Sequence, residues 1–290
     1  METEAEIFKK NAKTFSYAGK FFDSQTQKQI ETMYSFFRFI DDLAERQDQA
    51  GRDLMRATIN EWHSCSKSNP QLARAQRLFD ELQIDRSVID EFLRCMSSDI
   101  QGLRIKTDEE LLRYCYGAAS TVGLCLVEVF RVREPLAHSH AIDLGIAMQL
   151  TNIVRDIVED HSNDKIYLPE LSERDLCEIS DDELKQIKAK YVALAEKYYT
   201  SASSGFKFLP WRIRFCVSLA AHLYRRIGIL SLRPEFLRKR AYTRPPEKAL
   251  RLVLHFLTFS LSSFAPQTSR RHDSLLHRNL QGLPYVQPSF

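Results

Sequence analysis

An all-α fold is predicted by three features of the 290-residue chain: apolar residues recur at helical spacing almost from end to end, alternating β-branched runs are few, and nine glycines leave little material for a sheet. No Gly/Ser-rich, Pro-rich or like-charge linker divides the chain before its C-terminal region, so residues 1–264 read as a single domain.

Taken in order, the first readable helix contains Tyr34-Ser-Phe-Phe-Arg38-Phe-Ile-Asp41-Asp42-Leu-Ala-Glu45. Its 3.6-residue repeat puts Tyr34, Arg38, Asp42 and Glu45 on one stripe with Asp41 beside it, while Phe36, Phe37, Phe39, Ile40 and Leu43 cover the rest. A break follows at Asn69-Pro70, and a capping box at Thr107-Asp-Glu-Glu110 opens the next marked helix. Gly117 and Gly123, with Ala118, Ala119 and Ser120 between them, signal close approach by a ligand or a neighbouring helix, since glycine is otherwise unfavourable in a helix by about 1 kcal/mol. After Glu134-Pro135 a second polar seam runs through apolar surroundings: Gln149, Asn152, Asp156 and Asp160 recur at steps of three, four and four among Ile146, Leu150, Ile153, Val154 and Ile157. Leu168-Pro169, the capping box Ser180-Asp-Asp-Glu183, Leu209-Pro210 and Arg244-Pro-Pro246 mark later boundaries. Ala249 to Phe264, broken by Arg251 and His255, reads as a core helix in preference to an interfacial one. Residues 265–290 are rich in Gln, Ser, Arg, His and Pro without a regular period and read as a loosely ordered tail.

Two carboxylate seams on otherwise apolar helices point to metal chemistry. Burying unpaired carboxylates is costly, so such seams call for cations, and oxygen-only ligands favour Mg2+ or Mn2+ over zinc. Facing helices are how bundles build such sites. Ser180-Asp181-Asp182-Glu183 is an internal control, similar in composition but placed where a helix N-terminus explains it. Arg38, Arg155 and Lys165 are interleaved with the acids, which suits an anionic, metal-bridged ligand such as a diphosphate; internal ion pairing is the plainer reading. Tyr167 can bond a phosphate oxygen or simply pack.

The net charge of +3 does not call for nucleic acid. The acidic N-terminus, without an apolar core, argues against a signal peptide, and the six cysteines include no Cys-x-x-Cys pair, as expected of a reduced cytoplasmic protein. Arg238-Lys239-Arg240 and Arg270-Arg271 leave open a peripheral contact with the inner face of a membrane, beside the plainer reading of a solvated face and tail.

On these residues the chain resembles the squalene/phytoene synthase family over roughly residues 10 to 255. Tyr34, Arg38, Asp41, Asp42 and Glu45 match one family motif; Gln149, Leu150, Asn152, Arg155, Asp156, Glu159 and Asp160 match the other, followed by a basic residue, Lys165, before Tyr167 and Pro169. Lys13 to Asp23, Asp143 to Asn152 and Ala195 to Gly205 look most like the bacterial phytoene synthases. The resemblance implies an isoprenoid-synthase-type bundle around a central apolar cavity and head-to-head joining of two prenyl diphosphates. It assigns Asp41, Asp42, Glu45, Asp156, Glu159 and Asp160 to magnesium, Arg38, Arg155 and Lys165 to the diphosphates, and Gln149 and Asn152 to orientation. Phe15, Tyr17 and Tyr34 become walls shielding a carbocation, and Gly19 leaves room for the longer chain. Two geranylgeranyl diphosphates giving phytoene is the favoured reaction. A C30 product from farnesyl diphosphate is the alternative, with NADPH required only for squalene, and a non-catalytic scaffold of the same fold is the rival from another class. Three departures stand out: Glu45 in place of the commoner Asp, Lys165 in place of Arg, and Ser120 in place of a usual Gly, where it would narrow a substrate channel.

Overall fold

The structure, a computed structural model, describes residues 23–46, 48–66, 68–100, 102–262 and 272–286; Phe15, Tyr17, Gly19 and Arg270-Arg271 lie outside these. Ten α-helices and no strands occur among the described residues: α1 (Ser24–Ala44), α2 (Gln49–His63), α3 (Pro70–Glu81), α4 (Arg86–Asp99), α5 (Asp108–Cys115), α6 (Thr121–Val129), α7 (Leu136–Ser162), α8 (Asp181–Ser203), α9 (Trp211–Leu230) and α10 (Pro245–Ser262). The all-α expectation holds, and every proline break falls at or beside the start of a helical element. Side-chain caps explain most starts. Asp23, Asp48, Asn69, Asp85, Thr107 and Ser180 each accept a first-turn N–H, and Pro70 occupies a first-turn position of α3 where no N–H is needed.

The 27-residue α7 is the central element, packed against α8, α6, α9 and a π-turn, Tyr116–Ser120, that joins α5 to α6. It is apolar on several faces because it has neighbours on several faces; Ile142, Ile146, Ala147, Leu150 and Val154 are fully buried. On α1, Phe36 and Phe37 drive edge-on into Phe79 (5.3 Å) and Phe92 (4.6 Å). That aromatic anchor fixes the rotation of α1, so its polar stripe turns away from the core.

The small-residue segment is a packing device. A methyl group at Gly117 would sit 2.7 Å from Cys95 Cβ, and one at Gly123 would sit 3.0 Å from the Ala141 carbonyl oxygen, so both glycines admit neighbouring helices. Ser120, expected to narrow a channel, is instead fully buried, its hydroxyl donating to the Ile142 carbonyl at 2.8 Å. Opposite it, a methyl on Gly145 would meet Ser120 N and Cα at 2.5 Å. Gly145→Ala is therefore expected to destabilise the fold by about 1–3 kcal/mol in urea unfolding, because backbone overlap outweighs the roughly 1 kcal/mol gained in helix propensity. A more stable variant would refute this account of the contact.

Two expectations need correction. The run from Ala249, described as far as Ser262, is not a core helix: on α10, Leu250, Val253, Phe256 and Leu257 are each more than half exposed, and the helix packs chiefly on α9. Its seat is mixed, with Glu247 bridging Arg226 (2.7 Å) and Arg251 (3.1 Å), Ser218 bonded to His255 (2.9 Å) and Phe259 edge-on to Phe215 (5.3 Å). The tail is also not loose throughout. Ser274–Leu280 forms a 3-10 helix with Leu280 and Leu283 buried. Tyr198 donates to the Leu276 carbonyl (2.7 Å), Tyr116 to that of Pro284 (2.6 Å), and Arg113 to those of Asn279 and Gln281. Side chains from elsewhere supply the bonds that a regular ladder would have supplied, which a search for periodicity does not see.

Candidate active site

The first seam emerges where α1 runs out. Arg38, one turn before the acids, gathers all three: Asp41 at 2.7 Å, Asp42 at 2.5 Å and Glu45 at 3.6 Å. The carboxylates are partly open, yet desolvation pushes the Asp41 carboxyl up to about 6; Arg38 opposes the rise, Glu45 and Asp42 add to it, and Lys165 also opposes it. Tyr34, half-buried on the same stripe, has its phenol raised by burial.

The second seam is more enclosed. Asp156 is held by Arg155 through two contacts, 2.8 and 2.5 Å, and approached by Arg240 at 3.3 Å; Arg240 also takes Glu159 at 2.7 Å. One turn further on, desolvation pushes Asp160 up to about 8, and the charges of Asp156, Asp99 and Glu159 raise it further against the opposing pull of Lys165. Asn152 donates to Gln149 at 3.3 Å, but its own Oδ1 is buried with no hydrogen-bond partner among the described residues.

Lys165 links the two seams. A backbone pairing of Leu103–Ile105 with Ile166, two bonds of 2.9 Å, draws the segment after α7 against the end of α4. There Lys165 is almost buried and pairs with Asp99 at 2.9 Å, while its charge bears on Asp41 and on Asp160. Tyr167, left open between phosphate and packing, donates to Asp99 at 2.7 Å and stacks on Tyr114 at 4.7 Å.

Four residues at this site escaped sequence reasoning. Asp99 ends α4, where the helix dipole disfavours an acid, and that mismatch is a readable signal. Lys188 is fully buried on the apolar face of α8 between Leu184 and Tyr191, with burial pushing its ammonium down to about 8 and the nearby Asp156 opposing. A lysine on an apolar stripe is also legible. Tyr224, near Tyr34 and bonded to Arg155, and Arg240 carry no local signal. Arg240 stays exposed at the rim of the second seam, and Arg238 pairs with Asp181 at 2.7 Å and reaches the carbonyls of Leu176 and Ile179. Of the run suggested for a membrane surface, two of three cations are thus engaged within the protein. No helix among the described residues is long and apolar enough to cross a membrane.

The all-α bundle with two carboxylate seams and interleaved arginine and lysine fits a helical prenyltransferase, the class its relatives define. The chain belongs to the squalene/phytoene synthase family, whose model matches residues 8–246. It is 30% identical over 272 residues to a 15-cis-phytoene synthase of Enterobacter agglomerans, covering 83% of this chain and 90% of that protein. To a 4,4'-diapophytoene synthase of Staphylococcus haemolyticus it is 29% identical over 245 residues, 78% of this chain and 84% of that one. In fold it is similar to a dehydrosqualene synthase solved with a ligand, at a TM-score of 0.72 and 25% identity over 90% of this chain and 96% of that one.

Proposed function

We propose that this enzyme joins two geranylgeranyl diphosphates head to head to give phytoene, with both seams as its diphosphate site. The observation that carries the reading is the pair of carboxylate seams, each already gripped by an arginine, Arg38 at 2.7 and 2.5 Å on the first and Arg155 at 2.5 Å on the second, with Asp160 and Lys165 lining one pocket at the end of the second. The donor set fits Mg2+ or Mn2+: the acids are oxygen-only ligands, burial and then the neighbouring carboxylates lift Asp160, and Asn152 Oδ1 is a buried carbonyl oxygen without a donor among the described residues. Asp41, Asp42, Glu45, Asp156 and Asp160 would hold the metal, with Glu159 at the edge where Arg240 draws it. Bound there, it would supply positive charge against the departing pyrophosphate.

The chain's own groups do the rest. Arg38 and Arg155 can exchange a carboxylate for a diphosphate oxygen and so add preorganised charge where it develops in the transition state. Ionisation of one allylic C–O bond releases the first pyrophosphate, the second chain's double bond attacks, and a proton leaves to close a cyclopropylcarbinyl diphosphate. A second ionisation and rearrangement, with loss of a second proton, gives the linear hydrocarbon and a second pyrophosphate. Tyr34 stands one turn before Arg38 on the same stripe, where its ring can face the cation.

A C30 product from two farnesyl diphosphates is the second reading, favoured by the likeness to dehydrosqualene and diapophytoene synthases. Incubation with Mg2+ and each diphosphate, with and without NADPH, followed by mass analysis of the hydrocarbon, separates them. A C40 hydrocarbon without NADPH is expected. A C30 product made from farnesyl diphosphate alone would overturn the chain length, and absence of pyrophosphate release from folded protein would leave only a scaffold.

A further inference from the structure

About 20 Å along α7 from Asp156, at 1.5 Å per residue, a second carboxylate is buried, and the acidic seams make no use of it. Asp143 is 0% exposed. Its Oδ1 meets His277 Nε2 at 2.8 Å, and its Oδ2 meets His272 Nε2 at 3.0 Å and the Ser201 hydroxyl at 2.6 Å. One ligand atom from each of Asp143, His272 and His277 can be chosen so that all three lie within 4.8 Å of one another, and the two imidazole rings are 4.6 Å apart. A third ring, His140, stands one turn earlier on α7, buried and 5.3 Å edge-on from His272, and its Nδ1 has no hydrogen-bond partner among the described residues. A cleft of 370 Å³ lined by His140, Thr200, Ser201 and Asp273 opens beside the cluster, wide enough to admit a hydrated ion.

We propose that Asp143, His272 and His277 form a zinc-class divalent metal site that staples the C-terminal segment 272–286 to α7. Two imidazole nitrogens and a hydroxyl converge on a carboxylate that is wholly removed from water, and one carboxylate with two imidazoles is a donor set that a divalent ion of the zinc class takes. The mixed nitrogen and oxygen donor set selects Zn2+ over Mg2+, the reverse of the oxygen-only seams, so the two sites take different ions. The ligands lie 129 and 134 residues apart in the chain, so the ion closes a long loop and fixes a segment whose regular structure is one short 3-10 helix. A fourth position is open to Ser201, to water from the cleft, or to the spare His140 nitrogen. The staple is independent of which prenyl diphosphate the enzyme takes and of the product it makes.

Untagged protein, purified without chelator, is assayed for metal content, stripped, and titrated with Co2+. About one equivalent of zinc per chain is expected, with visible bands of four-coordinate Co2+ and a dissociation constant below ~1 µM. His272→Ala should weaken that binding by roughly 100-fold, whereas Asp156→Asn should keep it, which separates this site from the acidic seams. In wild-type protein, chelation should speed amide exchange in 272–286 by more than about tenfold. Less than about a tenth of an equivalent after reconstitution with zinc, undiminished Co2+ affinity in His272→Ala, or exchange in 272–286 that ignores the metal would each overturn the staple.

Discussion

Asp156→Asn is expected to slow pyrophosphate release from a prenyl diphosphate by about 10²–10³-fold while shifting Tm by only a few degrees. The amide keeps the shape of the side chain and leaves one oxygen to accept from Arg155, so packing at this largely buried position survives. What is lost is the charge that Arg155, Arg240 and the buried Lys188 all face. Lys188 limits the damage to folding: burial already lowers its ammonium to about 8, so it can shed its proton when its counter-charge disappears. Initial rates and a thermal melt on the same preparation make the test. A rate equal to wild type would remove Asp156 from the site.

Asp99→Ala is expected to cost about 3–5 kcal/mol in urea unfolding, the range for breaking a buried ion pair from one side. Lys165 would lose its partner in an almost closed pocket, and the hydroxyls of Tyr167 and Tyr114 would lose their shared acceptor. Replacing both partners, Asp99→Leu with Lys165→Met, should restore most of the stability, since an apolar pair of similar volume is often no worse than the ions. Turnover should not return with it, because the charge shared between Asp41 and Asp160 is gone. Asp99→Ala within about 1 kcal/mol of wild type would sink the ion-pair account, and a fully active double variant would reduce Lys165 to a structural role.

Much of the local architecture is legible in the amino-acid sequence. The spacing of Tyr34, Arg38, Asp42 and Glu45, and of Gln149, Asn152, Asp156 and Asp160, places each set on one helical stripe, where the structure has them. The caps at Thr107 and Ser180 form as read, with side-chain oxygens accepting from the N–H groups of Glu110 and Glu183, while the reciprocal half of each box does not: Glu110 accepts from Lys106 N and Glu183 pairs with Arg174. Ser180-Asp-Asp-Glu183 is a cap, its Glu183 paired with Arg174. These are local properties, set by rise per residue and by orphan N–H groups within one turn.

Tertiary structure alone decides who partners whom. Lys165 pairs with Asp99, 66 residues away; Arg240, at the surface, pairs with Glu159; Ser120, expected in a channel, closes a helix contact. The aperiodic tail finds its hydrogen bonds on α5, α8 and the π-turn, while the apolar run of α10 stays largely outside. The reason is common to all of them. Helical periodicity is a property of neighbours along the chain, so sequence can state it, but the partner of a buried charge or an unladdered carbonyl is whichever group the packing of distant elements leaves within about 3 Å once water is excluded.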